Sequence, residues 1–138
     1  MQDFKVEQLN DSTFDLVVEN NQFVTESSFR TAFNYQLFIN KRADKNLVST
    51  PRERGGWMGD LITKPDYQSG SYIYTKHQAR NTQNDKNDIA AYTKKSLEYF
   101  LDFGAKEIIV IVNDNNINGE IKVDNDTTLK YNSLWRGV

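Results

Sequence analysis

The 138-residue sequence predicts an α+β domain, a mainly antiparallel sheet packed with two main helices. Three observations lead there. Short apolar alternations near both ends read as half-buried strands. Two segments between them carry helical spacing. The order runs strands, helices, strands rather than a repeating strand–helix unit, which favours antiparallel pairing.

The size suits one core. A 16.0 kDa chain buries about two-thirds of its unfolded surface. Hydrophobic residues make up 38%, charged residues 26%, and the net charge is −2. That balance folds rather than staying disordered. It also lacks the basic excess of a dedicated nucleic-acid binder, so no nucleic acid is expected as a partner. There is no cysteine, which excludes disulfide scaffolds, thiol catalysis and thiolate metal sites. One histidine, His77, cannot build a multi-histidine site. No cofactor is expected. The first ten residues show no basic segment followed by an apolar one, so no secretory signal is expected. The longest apolar run, Ile108–Val112, is far short of a membrane span.

The whole of 1–138 reads as one domain, with N-terminal strands in 1–22. Phe4 and Val6 fall on one face with Gln8, and Phe14, Leu16 and Val18 on another, as in a hairpin turned at Asn10-Asp11-Ser12. A helix is predicted over Glu26–Asn40, with Thr25 or Ser27 as its N-cap. Its polar strip is narrow, only Arg30, Asn34 and Lys41. Such a helix is buried by several neighbours, of its own chain or another. Residues 41–70 read as an irregular, partner-contacting loop holding both prolines and four of the seven glycines. Ser71–His77 is a short element of undecided type, and Gln78–Asn87 a polar loop. The clearest helix runs from Asp88 to Phe103, with Gly104 as the left-handed residue after it. Strands fill 106–131. Glu107–Asn113 is continuous Ile and Val, Asn118-Gly119 signals a turn, and Thr127–Tyr131 is a third strand. Ile117–Asp124 and Thr127–Tyr131 are the expected sheet edges.

Little of this points to catalysis. Glu53 and Asp60 are the best carboxylate pair for a glycosidase-type reaction, but Arg52 and Arg54 flank Glu53 and should keep it ionised, unsuited to acid work. His77 has no triad pattern around it. Gly55-Gly56-Trp57-Met58-Gly59-Asp60 is glycine-rich, yet lacks the lysine and hydroxyl ending of a phosphate loop. Arg52, Arg54 and Trp57 suit an interface, where Trp and Arg dominate binding energy. The alternative is a loop folded back on its own core with Trp57 as plug.

Three motifs in order carry a resemblance: Leu37-Phe38-Ile39-Asn40-Lys41-Arg42-Ala43, Arg54-Gly55-Gly56-Trp57-Met58-Gly59-Asp60, and Gly70-Ser71-Tyr72-Ile73-Tyr74. Together with the later helix, the β-rich tail and Trp135, they resemble a small baseplate protein of Mu-like contractile phages over roughly residues 14–136. Met58 and Tyr74 stand where that family usually has tryptophan. The resemblance implies a non-enzymatic sheath initiator in the baseplate wedge of the virion, six copies around the tube, assembled in the host cytoplasm. It implies the tail sheath subunit and the wedge core proteins as partners, with the tail tube or hub as further neighbours. Its sheet would resemble the handshake domain of the sheath and accept strands from the first sheath ring. The expected interface comprises Arg52, Arg54, Gly55, Gly56, Trp57, Met58, Gly59 and Asp60 in the loop, and Ile117, Ile121, Val123, Leu129, Tyr131 and Trp135 in the tail. A lysozyme-like peptidoglycan hydrolase of the baseplate and a cytosolic β-edge adaptor are the alternatives.

Overall fold

The computed structural model describes residues 2–9, 13–63, 68–76 and 79–135. His77, and the turn expected at residues 10–12, lie outside them. The architecture is α+β, as the sequence predicts. Its frame is a three-stranded antiparallel sheet, β7 (Glu107–Val112), β8 (Asn116–Lys122) and β9 (Thr128–Leu134), in the order β7-β8-β9. Helices α1 (Ser28–Phe38) and α3 (Gln83–Leu97) pack against this sheet. The core between them is Phe33 and Leu37 of α1, Ile89 and Leu97 of α3, and Ile108, Ile117, Ile121 and Tyr131 of the sheet. Phe33 stacks on Tyr131 with ring centres 4.5 Å apart. Within the chain α1 is flanked by α3, the sheet and the N-terminal strands, which bury Phe33 and Leu37 and leave Ala32, Tyr35 and Phe38 half-buried.

Two strand assignments change. Asn118-Gly119 is not a turn but the middle of β8, and the β7–β8 turn lies at Asn113–Asn116, closed by Asn113 N–H to Asn116 O at 2.9 Å. Gly119 is a strand glycine because Phe33 lies on it: an added Cβ would sit 2.9 Å from Phe33 Cε2. In consequence β8 is the central strand. The edges are β7 and β9, so 117–124 is not an edge.

The helices also shift. α3 begins six residues before Asp88 at its cap, Thr82, whose hydroxyl accepts from Asp85 N while Thr82 N donates back to Asp85. This reciprocal box pulls the polar stretch Gln83–Asn87 into the helix. The last turns, Glu98–Phe103, tighten to 3-10 geometry before Gly104 at φ 96°. Gly104 is thus left-handed, as expected.

The N-terminal segment is more elaborate than one hairpin. It forms three two-stranded ribbons: β1 (Gln2–Phe4) with β6 (Thr25–Ser27), β2 (Val6–Gln8) with β3 (Phe14–Leu16), and β4 (Val18–Glu19) with β5 (Gln22–Phe23). They meet at a closed ring of hydrogen bonds. Lys5 donates to Val24 O, Val24 to Val17 O, and Val17 to Lys5 O, at 2.8 to 3.0 Å. Asn20 and Asn21 turn the third ribbon at φ 50° and 61°, the left-handed pair a tight hairpin needs. Phe14 packs on Phe38, 5.1 Å between ring centres, and fixes the ribbons to the end of α1.

Candidate partner interface

α1 ends without a glycine cap and without a basic residue in its last turn, so its terminal carbonyls need other donors. The signature motifs supply them. The Ser71 hydroxyl donates to Leu37 O, Ser71 N–H to Ile39 O at 2.9 Å, and Gly56 N–H to Asn40 O at 2.9 Å. The Tyr74 hydroxyl lies 2.9 Å from Lys41 O and 2.6 Å from Arg54 O. Ala43 and Arg54 pair reciprocally, Ala43 N–H to Arg54 O at 2.7 Å and Arg54 Nε to Ala43 O at 2.8 Å. Arg42 reaches Gly55 O. The three motifs are one lock on the end of the helix.

Two glycines show how tight that lock is. Gly70 has φ 92°, and a Cβ there would lie 1.9 Å from Ile39 O. Gly59 passes beneath the Trp57 ring, 2.2 Å from where its own Cβ would stand. Trp57 also meets Tyr35 edge-on at 5.8 Å.

The carboxylates of the loop are spent on its backbone. Glu53 Oε2 accepts from Ser49 N and Thr50 N at 3.0 and 3.1 Å, capping the 3-10 turn Pro51–Arg54. Asp60, at the head of the short helix α2 (Asp60–Thr63), accepts from Ser69 N and Oγ at 2.9 and 2.7 Å. A cleft of about 400 Å³ is lined by Leu47, Arg52, Glu53 and Tyr74, among others, but not by Asp60. The residues around the lock sit in a drier medium than the surface. Burial pushes the Tyr74 and Tyr72 hydroxyls up in pKa. Burial, then Lys95, draws the Lys41 ammonium below the ordinary lysine range, partly offset by Asp60 and Glu98. Among the described residues no group of three His, Asp or Glu side chains could hold a metal ion.

What the lock presents outward is apolar. Trp57 is 42% exposed, Met58 77% and Ile62 83%. Arg52 and Gly56 are exposed, while Arg54, Gly55, Gly59 and Asp60 are half-buried. Ile62 is the residue missed in sequence, because nothing in residues 60–63 marks a helix with one face to solvent.

The expected tail residues divide differently. Ile117 and Ile121 are fully buried beneath the helices, and Trp135 is 1% exposed with its indole N–H 3.3 Å from Asn113 O. Tyr131 is also buried. These side chains belong to the core, because β8 is central and the inward face of β9 lies on α1. Leu129 packs partly against the core, and Val123 closes the β8–β9 turn through its N–H to Thr127 O. The open features of the sheet are backbone edges. Ladder alternation turns the N–H and C=O of Ile108, Val110 and Val112 outward on β7. On β9 it does the same for Thr128, Lys130, Asn132 and Leu134. Exposed apolar side chains occur again on the ribbons, where Phe4 and Phe23 meet at a tilt with ring centres 5.4 Å apart and Leu16 and Val18 are also exposed.

The structure is thus an α+β domain with sheet edges at β7 and β9 and a helix-locking loop that exposes Trp57, Met58 and Ile62. The family model described as Phage protein GP46 matches residues 29–129, and the chain belongs to that family of phage proteins. The matched span runs from α1 into β9 and includes the whole lock; the ribbons of residues 2–27 lie outside it. No curated protein matches the chain.

Proposed function

We propose that this phage protein is a non-enzymatic component of a contractile-tail baseplate, which joins the wedge and nucleates sheath polymerisation by accepting a strand. The observation that carries the reading is the three-stranded sheet, covered by helices on one face, whose outer edges at β7 and β9 pair with no further strand among the described residues. Such an edge is a template for a strand from another chain, held by main-chain bonds and registered by alternate side chains. The lock presents Trp57, Met58 and Ile62 to the wedge core proteins, so wedge and sheath engage separate faces. Six copies ring the tube in the virion, with the tube or hub close by. The engagement of Glu53 and Asp60 on their own loop backbone weighs against a hydrolase.

The test is co-expression with the sheath and wedge proteins encoded in the same phage, followed by capture on this protein. Retention of the sheath subunit is expected, as is separate retention of a wedge protein. A folded sample that holds neither overturns the proposal. Clearance of cell-wall suspensions by the purified protein, lost in Glu53→Gln, would replace it with the hydrolase.

A further inference from the structure

One rung of the β9 edge is already occupied. The Gln8 side-chain amide donates from Nε2 to Leu134 O and accepts from Leu134 N–H, both at 2.8 Å. A carboxamide offers the same donor and acceptor as a peptide group. Gln8 therefore stands beside Leu134 as a neighbouring strand would. The next outward positions, Asn132, Lys130 and Thr128, carry backbone groups aimed the same way, and no hydrogen bond of the described residues uses them. Gln8 is firmly placed. Its backbone pairs with Phe14 in the β2–β3 ribbon, and Phe14 packs on Phe38 of α1.

We propose that Gln8 is a register stop for strand addition: an extended segment of another polypeptide pairs with Thr128–Asn132 and is halted there because the Leu134 rung is filled. The inference rests on the strand-acceptor reading above and names its edge and its limit. That the edge takes a peptide group is argued from the amide already seated on it. The limit matters because outward rungs lie two residues apart on β9, so an advance of one rung would set every side chain of the added strand against a different neighbour. On the inner side the added strand meets the margin of α1, where Arg30 lies over the Tyr131 ring at 6.0 Å and Asn34 contacts Ser133. On the outer side it meets Lys130 and Asn132. A fixed stop decides which of these neighbours each of its side chains meets.

The experiment is residue-resolved amide hydrogen exchange on the full chain, alone and with the purified sheath subunit of the same phage. Gln8→Met keeps the length and removes the hydrogen bonds; Gln8→Ala serves if the methionine packs differently. In the free wild type, Leu134 should exchange at least about tenfold more slowly than Lys130 and Asn132, and Gln8→Met should abolish that difference. With sheath bound, Lys130 and Asn132 should slow by about tenfold or more, with Leu134 unchanged. In the bound Gln8→Met variant, Leu134 should become protected again as the strand advances one rung. A Leu134 amide that stays fast in that complex overturns the stop. So does new protection at Ile108, Val110 and Val112 with β9 unchanged, which would move the strand to β7 and leave the acceptor reading standing. Protection at neither edge overturns the acceptor reading itself, and the stop with it.

Discussion

Gly70 and Met58 stand at opposite ends of what the signature residues do. Gly70 combines φ 92° with a backbone carbonyl 1.9 Å from any Cβ, so neither strain nor the neighbour can yield cheaply. Gly70→Ala is expected to cost about 3 kcal/mol, a fall of roughly 10 °C in Tm for a domain of this size, read by thermal denaturation. Met58 and Ile62 touch water instead. Met58→Ser with Ile62→Ser should change stability by less than about 0.5 kcal/mol each and still reduce retention of the wedge protein. Undiminished retention would show that this patch is not the wedge contact. The importance of the loop was legible from its residue types, since Trp, Arg and clustered glycines in one stretch are rarely idle. Their division of labour was not. Arg54 and Asp60 read as interface residues, but their hydrogen bonds hold Ala43 and Ser69 in place. Which side of a loop faces inward depends on partners distant in the chain.

At the scale of elements, periodicity located α1, α3 and the strand content, and misplaced the boundaries that polar chemistry sets. The start of α3 is the clearest case, because Gln83–Asn87 has no apolar spacing and enters the helix on the strength of Thr82 and Asp85. The same cap makes a prediction about acid. The Asp85 carboxyl is held below its ordinary value of 3.8, first by hydrogen bonds from the Thr82 hydroxyl and backbone and then by Lys76. A depressed carboxylate adds stability that is fully present above its unfolded value and lost as pH falls through the folded one. The helix start should therefore weaken below about pH 4. Asp85→Asn should lower Tm at neutral pH and flatten its fall between pH 4 and 2, leaving the share carried by Asp114 and Asp124, which are also held low. An unchanged acid limb would remove Asp85 from the account. Lys76 moves the other way, raised first by its bond to Asp88. Its own contribution is present below the unfolded value of 10.5 and is lost only as pH rises through the folded one, so Lys76 enters the acid limb only through its hold on Asp85. The misread Asn118-Gly119 belongs to this scale too. Locally it is a hairpin signal, and only the Phe33 ring, far away in sequence, explains the glycine.

Among the described residues, apolar surface is exposed in separate places: the ribbons, the lock, and Leu101 with Phe103 in the 3-10 turns Glu98–Phe103. That distribution suits a chain whose burial is completed by several neighbours, and it leaves the sheet edge as the place to test the assembly role. Lys130→Pro is the sharpest probe. The Lys130 N–H points away from β8, so proline there removes no bond of the three-stranded ladder and its ring projects into the path of an added strand. The exposed ion pair lost with it, Lys130 to Glu120 at 3.2 Å, is worth little. Tyr131→Pro, one residue on, removes an inward N–H and a core ring, and should unfold the sheet. The expected pattern is a folded Lys130→Pro protein that keeps the wedge partner and loses the sheath subunit, beside a Tyr131→Pro protein that does not fold. Capture of sheath by Lys130→Pro at the wild-type level would exclude β9 as the acceptor and leave β7 as the remaining edge.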